Sequence, residues 1–156
     1  MDLLLWRHAE AEDTGLDGTD LSRALTAKGR QQAAAVAHWL NQHGPHEPRI
    51  LVSPALRTQQ TAQALGREFE TCHDLAPDAS ANQLIKACGW PRGRQARDAV
   101  ILVGHQPTLG QLAARLLSGR EDNWSVKKGA LWWLQHRGSG GYEETVLKLV
   151  LPPEFT

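Results

Sequence analysis

Sulfur chemistry is almost missing from this sequence. Two cysteines, Cys72 and Cys88, stand in 156 residues, and neither belongs to a CxxC pair. That excludes a disulfide framework and reads as free thiols in a cytoplasmic protein. Long apolar runs are missing too. The N-terminal run Leu3 to Trp6 is far too short for a membrane span and has no basic segment before it, so neither anchor nor leader is expected. Net charge is zero, with 17 Lys+Arg against 17 Asp+Glu. No global field exists to gather nucleic acid or an anionic membrane, so basic residues must act locally. The GxxxxGK[ST] phosphate loop is absent, as are HExxH and paired Cys/His spacings. This is no P-loop nucleotide enzyme, and two histidines with an acid give no recognisable zinc set, so no metal or other cofactor is expected. No repeat, low-complexity tract or linker interrupts the chain, and a single domain over 1–156 follows.

What is present is an ordinary globular composition, 41% hydrophobic and 22% charged. Leu3 to Trp6 reads as a first strand. Residues 9–25 form an acidic loop holding Glu10, Glu12, Asp13, Asp17 and Asp20. Thr26 caps a helix to about 41–43, with Ala33, Val36, Ala37 and Leu40 on one buried stripe. Residues 49–52 are a second strand. Ser53 then reads as the cap of a helix that has Pro54 at its first position and runs to about Gly66. A weak strand near 70–73 and a short helix over 80–88 follow, then a basic loop, GWPRGRQAR, at 89–97, read as an ordinary exposed loop with a docking site for an acidic protein partner as the alternative. Ala99 to Val103 is the clearest strand, apolar throughout and therefore buried on both faces. A helix over about 107–117 buries Leu109, Leu112, Ala113 and Leu116. Strands at 130–136 and 143–150 flank the turn Gly138-Ser139-Gly140-Gly141. Alternating strands and helices imply an α/β fold, a three-layer α/β/α sandwich on a mixed, mostly parallel sheet.

Each of the three best strands ends in polar residues: Trp6-Arg7-His8, Val52-Ser53-Pro54-Ala55-Leu56-Arg57 and Val103-Gly104-His105. Carboxyl ends of parallel strands share one edge, where open α/β sheets bind ligands. Arg7, His8, Arg57 and His105 therefore converge in one crevice. Two guanidinium forks suit phosphate oxygens, and Arg57 lies in a helix's first turn, which also favours anions. Two imidazoles add nucleophilic and acid–base capacity near neutral pH. Together they read as phosphoryl transfer through a phosphohistidine intermediate. The residues alone leave open which histidine attacks.

The motifs L-W-R-H-A-E, D-L-S-R-A-L-T-A-K-G, S-P-A-L-R-T-Q-Q-T-A and V-G-H-Q-P-T-L, spanning about 3–117, resemble those of the histidine phosphatase (phosphoglycerate mutase-like) superfamily. The absence of a large lid insertion resembles the short SixA-type phosphohistidine phosphatases. The resemblance implies His8 as nucleophile, Arg7 and Arg57 as clamps on the phosphoryl oxygens, and His105 on the same group. Asp20 is the implied acid, with Glu10 and Asp13 as rivals in the same loop. Ala9 stands where relatives carry glycine, which is harmless unless the backbone there is left-handed. A phosphohistidine protein, such as a histidine phosphotransfer domain, is the implied substrate. It suits a weak acid, because a protonated imidazole leaves easily whereas an alkoxide needs a proton. A small phosphate ester, or a regulatory module that only binds phosphate, is the alternative. Ser53, besides capping, is placed near the phosphate. Arg23 either braces the acidic loop or touches substrate, and bracing is preferred.

Overall fold

The computed structural model describes residues 1–93 and 98–156. Six strands and four α-helices follow one another among them: β1 (Asp2–Arg7), α1 (Ala27–His43), β2 (Arg49–Val52), α2 (Leu56–Gln63), β3 (Glu70–Thr71), α3 (Ala81–Cys88), β4 (Ala99–Gly104), α4 (Thr108–Ser118), β5 (Leu131–Ser139) and β6 (Tyr142–Leu151). They form one sheet in the order β3-β2-β4-β1-β5-β6. The first four strands are parallel, and β5 and β6 are antiparallel. The fold is a mixed α/β/α sandwich without a large insertion. No helix among the described residues is long and apolar enough to cross a membrane.

Unbroken apolar strands need cover on both faces, and period-two alternation decides which residue meets which helix pair. Leu3, Leu5, Leu51, Val100 and Leu102 join Leu84, Cys88, Leu109 and Leu112 of α3 and α4. Leu4, Trp6, Ile50, Val52, Ile101 and Val103 join Val36, Ala37, Leu40 and Ala62 of α1 and α2. Each buried Leu, Ile or Val among them contributes about 1.5–3 kcal/mol by leaving water. Side chains cap the starts of α1 and α3. Thr26 Oγ1 accepts the Gly29 amide hydrogen, and Ser80 and Gln83 form a reciprocal capping box.

Three expectations change. Ser53 and Pro54 do not open α2, because the Ser53 amide donates to Val103 O and so continues the sheet edge; the helix begins at Leu56 and ends at Gln63 rather than Gly66. Strands β5 and β6 absorb Gly138 and Ser139, leaving Gly140-Gly141 as a two-residue turn with positive φ at both; such turns match the strand twist. Leu116 is only partly buried. Residues 94–97 of the basic loop lie outside the described residues. Within them, Arg92 pairs with Glu143 at 3.0 Å and Trp90 packs edge-on to His136.

Two connections hold the functional edge. A strap before β5 crosses the end of β1: Trp6 Nε1 donates to Gly129 O, Gly129 N to His8 O, and Arg7 Nη1 to Val126 O at 2.8 Å. Gly129 has φ +74°, which glycine adopts without strain. On the other side, the acidic loop closes on an Ala11–Leu25 bridge and passes over α1 at Gly29, where a Cβ would fall 1.9 Å from Glu10 O. Gly29→Ala gains about 1 kcal/mol of helix propensity and meets a backbone atom that cannot turn aside. Overpacking at about 1–3 kcal/mol or more outweighs it. We expect a net loss, read as a lower urea midpoint at unchanged m-value.

Candidate active site

The sheet register brings the site together. Trp6 and Val52 both pair with Val103, and Arg7 pairs with Gly104. The next residues are therefore level: His8 N donates to Gly104 O, and Ser53 N to Val103 O. His8 and His105 face one another with ring centroids 5.3 Å apart.

His8 is buried, and its Nδ1 lies 2.7 Å from Ala9 O. A carbonyl only accepts, so Nδ1 carries the hydrogen and Nε2 keeps a free lone pair. Burial first, and then the neighbouring Arg57 and Arg7 charges, pull the His8 pKa down to about 4, against the raising effect of the Ala9 bond. At pH 7 His8 is therefore neutral in nearly every molecule. The ring is thus neutral and oriented in a cationic pocket, with a lone pair on Nε2 that could act as a nucleophile. Ala9 does not disturb it, since no non-glycine residue among those described has positive φ.

His105 is also buried. Its Nε2 lies 2.7 Å from Ser53 Oγ, and its Nδ1 has no hydrogen-bond partner. Burial, with His8 and Arg57 next, lowers its pKa to about 3.

The guanidiniums flank the pair. Arg7 is tied to the strap through Nη1 while its Nε is unpartnered; burial lowers its pKa. Arg57, the second residue of α2, has a side chain 5% exposed; Nη1 donates to Asp20 O and Nη2 to Asp20 Oδ2 at 3.1 Å, while Nε is unpartnered. Buried donors without partners are costly, and an anion's oxygens would satisfy those of Arg7 and Arg57. Asp20 is 55% exposed and also receives Arg23 Nη1 at 3.1 Å. Burial pushes its carboxyl up, but the Arg23 and Arg57 hydrogen bonds and charges together outweigh that and leave it below the usual carboxylate range. Asp20 thus stands at the clamp as a carboxylate.

The rival acids lie elsewhere. Glu10 Oε2 accepts from Thr26 Oγ1 at the start of α1, and Asp13 is exposed in the loop. Arg23 braces the loop: its Nε donates to Glu12 O. Asp17 gathers the Thr19 amide and the Thr19 and Ser22 hydroxyls, which fixes the turn carrying Asp20. Among the described residues, no three His, Cys, Asp or Glu side chains gather as metal ligands. Sequence reading missed Thr61, whose Oγ1 accepts the Ala9 amide and donates to Arg57 O. It also missed Gln32 and Gln60, which accept the Glu10 and Leu25 amides. No local signal in the sequence marks them, because their partners are loop amides placed by tertiary packing.

Two buried neutral histidines have a consequence for stability. Their folded pKa values, about 4 and about 3, lie below the unfolded value of 6.5. The unfolded chain binds more protons below pH 6.5, so stability falls as pH falls, by up to about 1.4 kcal/mol per pH unit for each histidine until the folded pKa is reached. Urea midpoints measured between pH 7 and 5 should fall, and His8→Asn should remove about half the dependence that both rings create.

Comparison with known proteins agrees with this geometry. Residues 3–80 match the profile of the histidine phosphatase superfamily (branch 1). An uncharacterized protein of Picosynechococcus sp. is 38% identical over 127 residues, covering 77% of this chain and 75% of that protein. Phosphohistidine phosphatase SixA of Escherichia coli is 29% identical over 126 residues, covering 76% of each. A structure of the protein histidine phosphatase SixA complexed with tungstate superposes with a TM-score of 0.82 at 24% identity, covering 98% of this chain and 97% of that one. With its Arg7-His8 strand end, its matching profile and its near relatives, the chain belongs to the histidine phosphatase superfamily.

Proposed function

We propose that this protein is a phosphohistidine phosphatase of the SixA kind. His8 Nε2 attacks the phosphorus of a substrate phosphohistidine. The substrate P–N bond breaks, and its electron pair leaves with an imidazole already protonated at its other nitrogen. The phosphoryl group now sits on His8, whose Nδ1–H remains on Ala9 O, so His8 in turn leaves as a neutral ring when water attacks. Phosphate is released, and the proton of the attacking water passes to a base. Arg7 and Arg57 hold the phosphoryl oxygens throughout. No metal or other cofactor enters these steps.

The observation that carries this reading is the pairing of a neutral nucleophile with an ionised carboxylate. Asp20, held by Arg57 and Arg23, is poorly suited to donate a proton in the first step and well suited to accept one from water in the second. An alkyl phosphate needs the donor; a phosphohistidine does not. The similarity to SixA of Escherichia coli supports the same substrate class. An open groove of about 600 Å³, lined by chain neighbours of Asp20 and Arg57 that include Thr19, Leu21, Ser22, Leu56 and Gln59, leaves room for a protein surface. We place that substrate on a cytoplasmic signalling protein, such as a histidine phosphotransfer domain.

The test uses a phosphohistidine-bearing phosphotransfer domain and, in parallel, phosphoserine. Wild type should release phosphate far faster from the first. His8→Ala should release none and take up no acid-labile phosphate. Asp20→Asn should lower steady-state turnover by about 10²–10⁴-fold while phosphoenzyme accumulates, since the lost group serves the water step. Equal rates on phosphoserine would instead favour a phosphate ester substrate. A wild type that binds phosphate yet turns over neither would be a regulatory module.

A further inference from the structure

Ser53 contacts the other histidine, and the way its hydroxyl is enclosed decides more than a contact. The residue is 0% exposed. Its amide donates to Val103 O, and its carbonyl accepts from Thr58 Oγ1 and Gln59 Nε2. Its Oγ has two neighbours: the Ala55 amide at 3.3 Å and His105 Nε2 at 2.7 Å. The amide is a donor, so the hydroxyl hydrogen has one acceptor available, the ring nitrogen. A neutral His105 that accepts at Nε2 carries its own hydrogen on Nδ1. That Nδ1 is the buried atom without a partner, in the ring packed against His8.

From this geometry we propose that Ser53 is a positioning residue that locks His105 in the Nδ1–H tautomer, so that the ring offers a phosphoryl oxygen a donor and not a lone pair. The opposite arrangement, Nε2–H donating to Ser53, would strand a buried hydroxyl hydrogen and turn a lone pair toward an anion. Neutral imidazole in water prefers hydrogen on Nε2, so the protein reverses the intrinsic preference. The Ser53 hydroxyl then acts through His105, in place of the cap or the direct phosphate contact that the sequence suggested. The charged and titratable groups felt by the ring are His8, Arg57, Asp20 and Arg7. Only the identity of the donor's recipient rests on the proposed phosphatase function; the tautomer does not.

The experiment is a long-range ¹H–¹⁵N spectrum of the histidine rings in the whole protein at pH 7, with His105→Asn to assign the signals. Wild type should show His105 protonated at Nδ1 and unprotonated at Nε2. Ser53→Ala should move it toward Nε2–H, and Ser53→Thr, which keeps the hydroxyl, should restore the wild-type pattern. Single-turnover transfer to His8 should fall about 10-fold in Ser53→Ala, the worth of one hydrogen bond, with KM little changed. An Nε2–H ring in wild type overturns the proposal, and so does an Nδ1–H ring that persists in a folded Ser53→Ala. If Ser53→Ala does not fold, the wild-type and Ser53→Thr spectra still decide. A protein with the Nδ1–H ring and no phosphohistidine turnover would overturn the functional reading alone.

Discussion

The parallel pairing of β1 with β4 is the constraint on which the site depends. A side chain one residue beyond each strand can meet its counterpart only if the two strands stop at the same level, and the Arg7–Gly104 pair sets that level. A one-residue slip would turn Leu4 and Trp6 toward α3 and α4 and carry His8 away from His105. The register is held from both faces by helices and from the end by Trp6, whose ring is buried while its N–H is spent on the strap. Core packing and the placement of His8 are one problem here.

Electrostatically the site sets two demands against each other. Anion binding calls for cations close by, and nucleophilic attack by imidazole calls for an uncharged ring. Burial of His8 beside Arg57 and Arg7 meets both, because the same surroundings that favour an anion disfavour imidazolium. The Ala9 carbonyl fixes which nitrogen is left free. Asp20 moderates the cationic character of Arg57 in the free protein. The Arg57 guanidinium is therefore not a bare buried charge, which would be costly.

Much of this was legible in the residues because strands end abruptly. Arg7, His8, Arg57 and His105 each sit at or just past an apolar run, and sheet topology leaves them one edge to share. The pattern of Leu3 to Trp6 and of Val100 to Val103 sufficed for a doubly covered sheet. Ser53 was misread because Ser-Pro after a strand resembles a helix start, whereas one sheet hydrogen bond to Val103 keeps the chain extended for two more residues. Thr61 and Gln32 were invisible for a different reason. Their partners are backbone amides of a loop whose path is decided by tertiary packing, and no local propensity reports it. The charge state of Asp20 likewise depends on two arginines that only the folded loop brings to it.

The acidic loop leaves and rejoins the body through a narrow neck. Thr26 N bonds to Glu10 O, Glu12 N to Ala24 O, and Ala11 bridges Leu25. Between those points the loop is tied again to α2, where Arg57 donates to Asp20 O and Oδ2, and the stretches on either side can differ in length without moving the sheet. Closing a longer segment across the same neck costs only about 0.6 kcal/mol for each doubling. Residues can therefore be added on either side of the Asp20 turn without re-engineering the histidines beneath, and the rim over the crevice becomes adjustable between fixed posts.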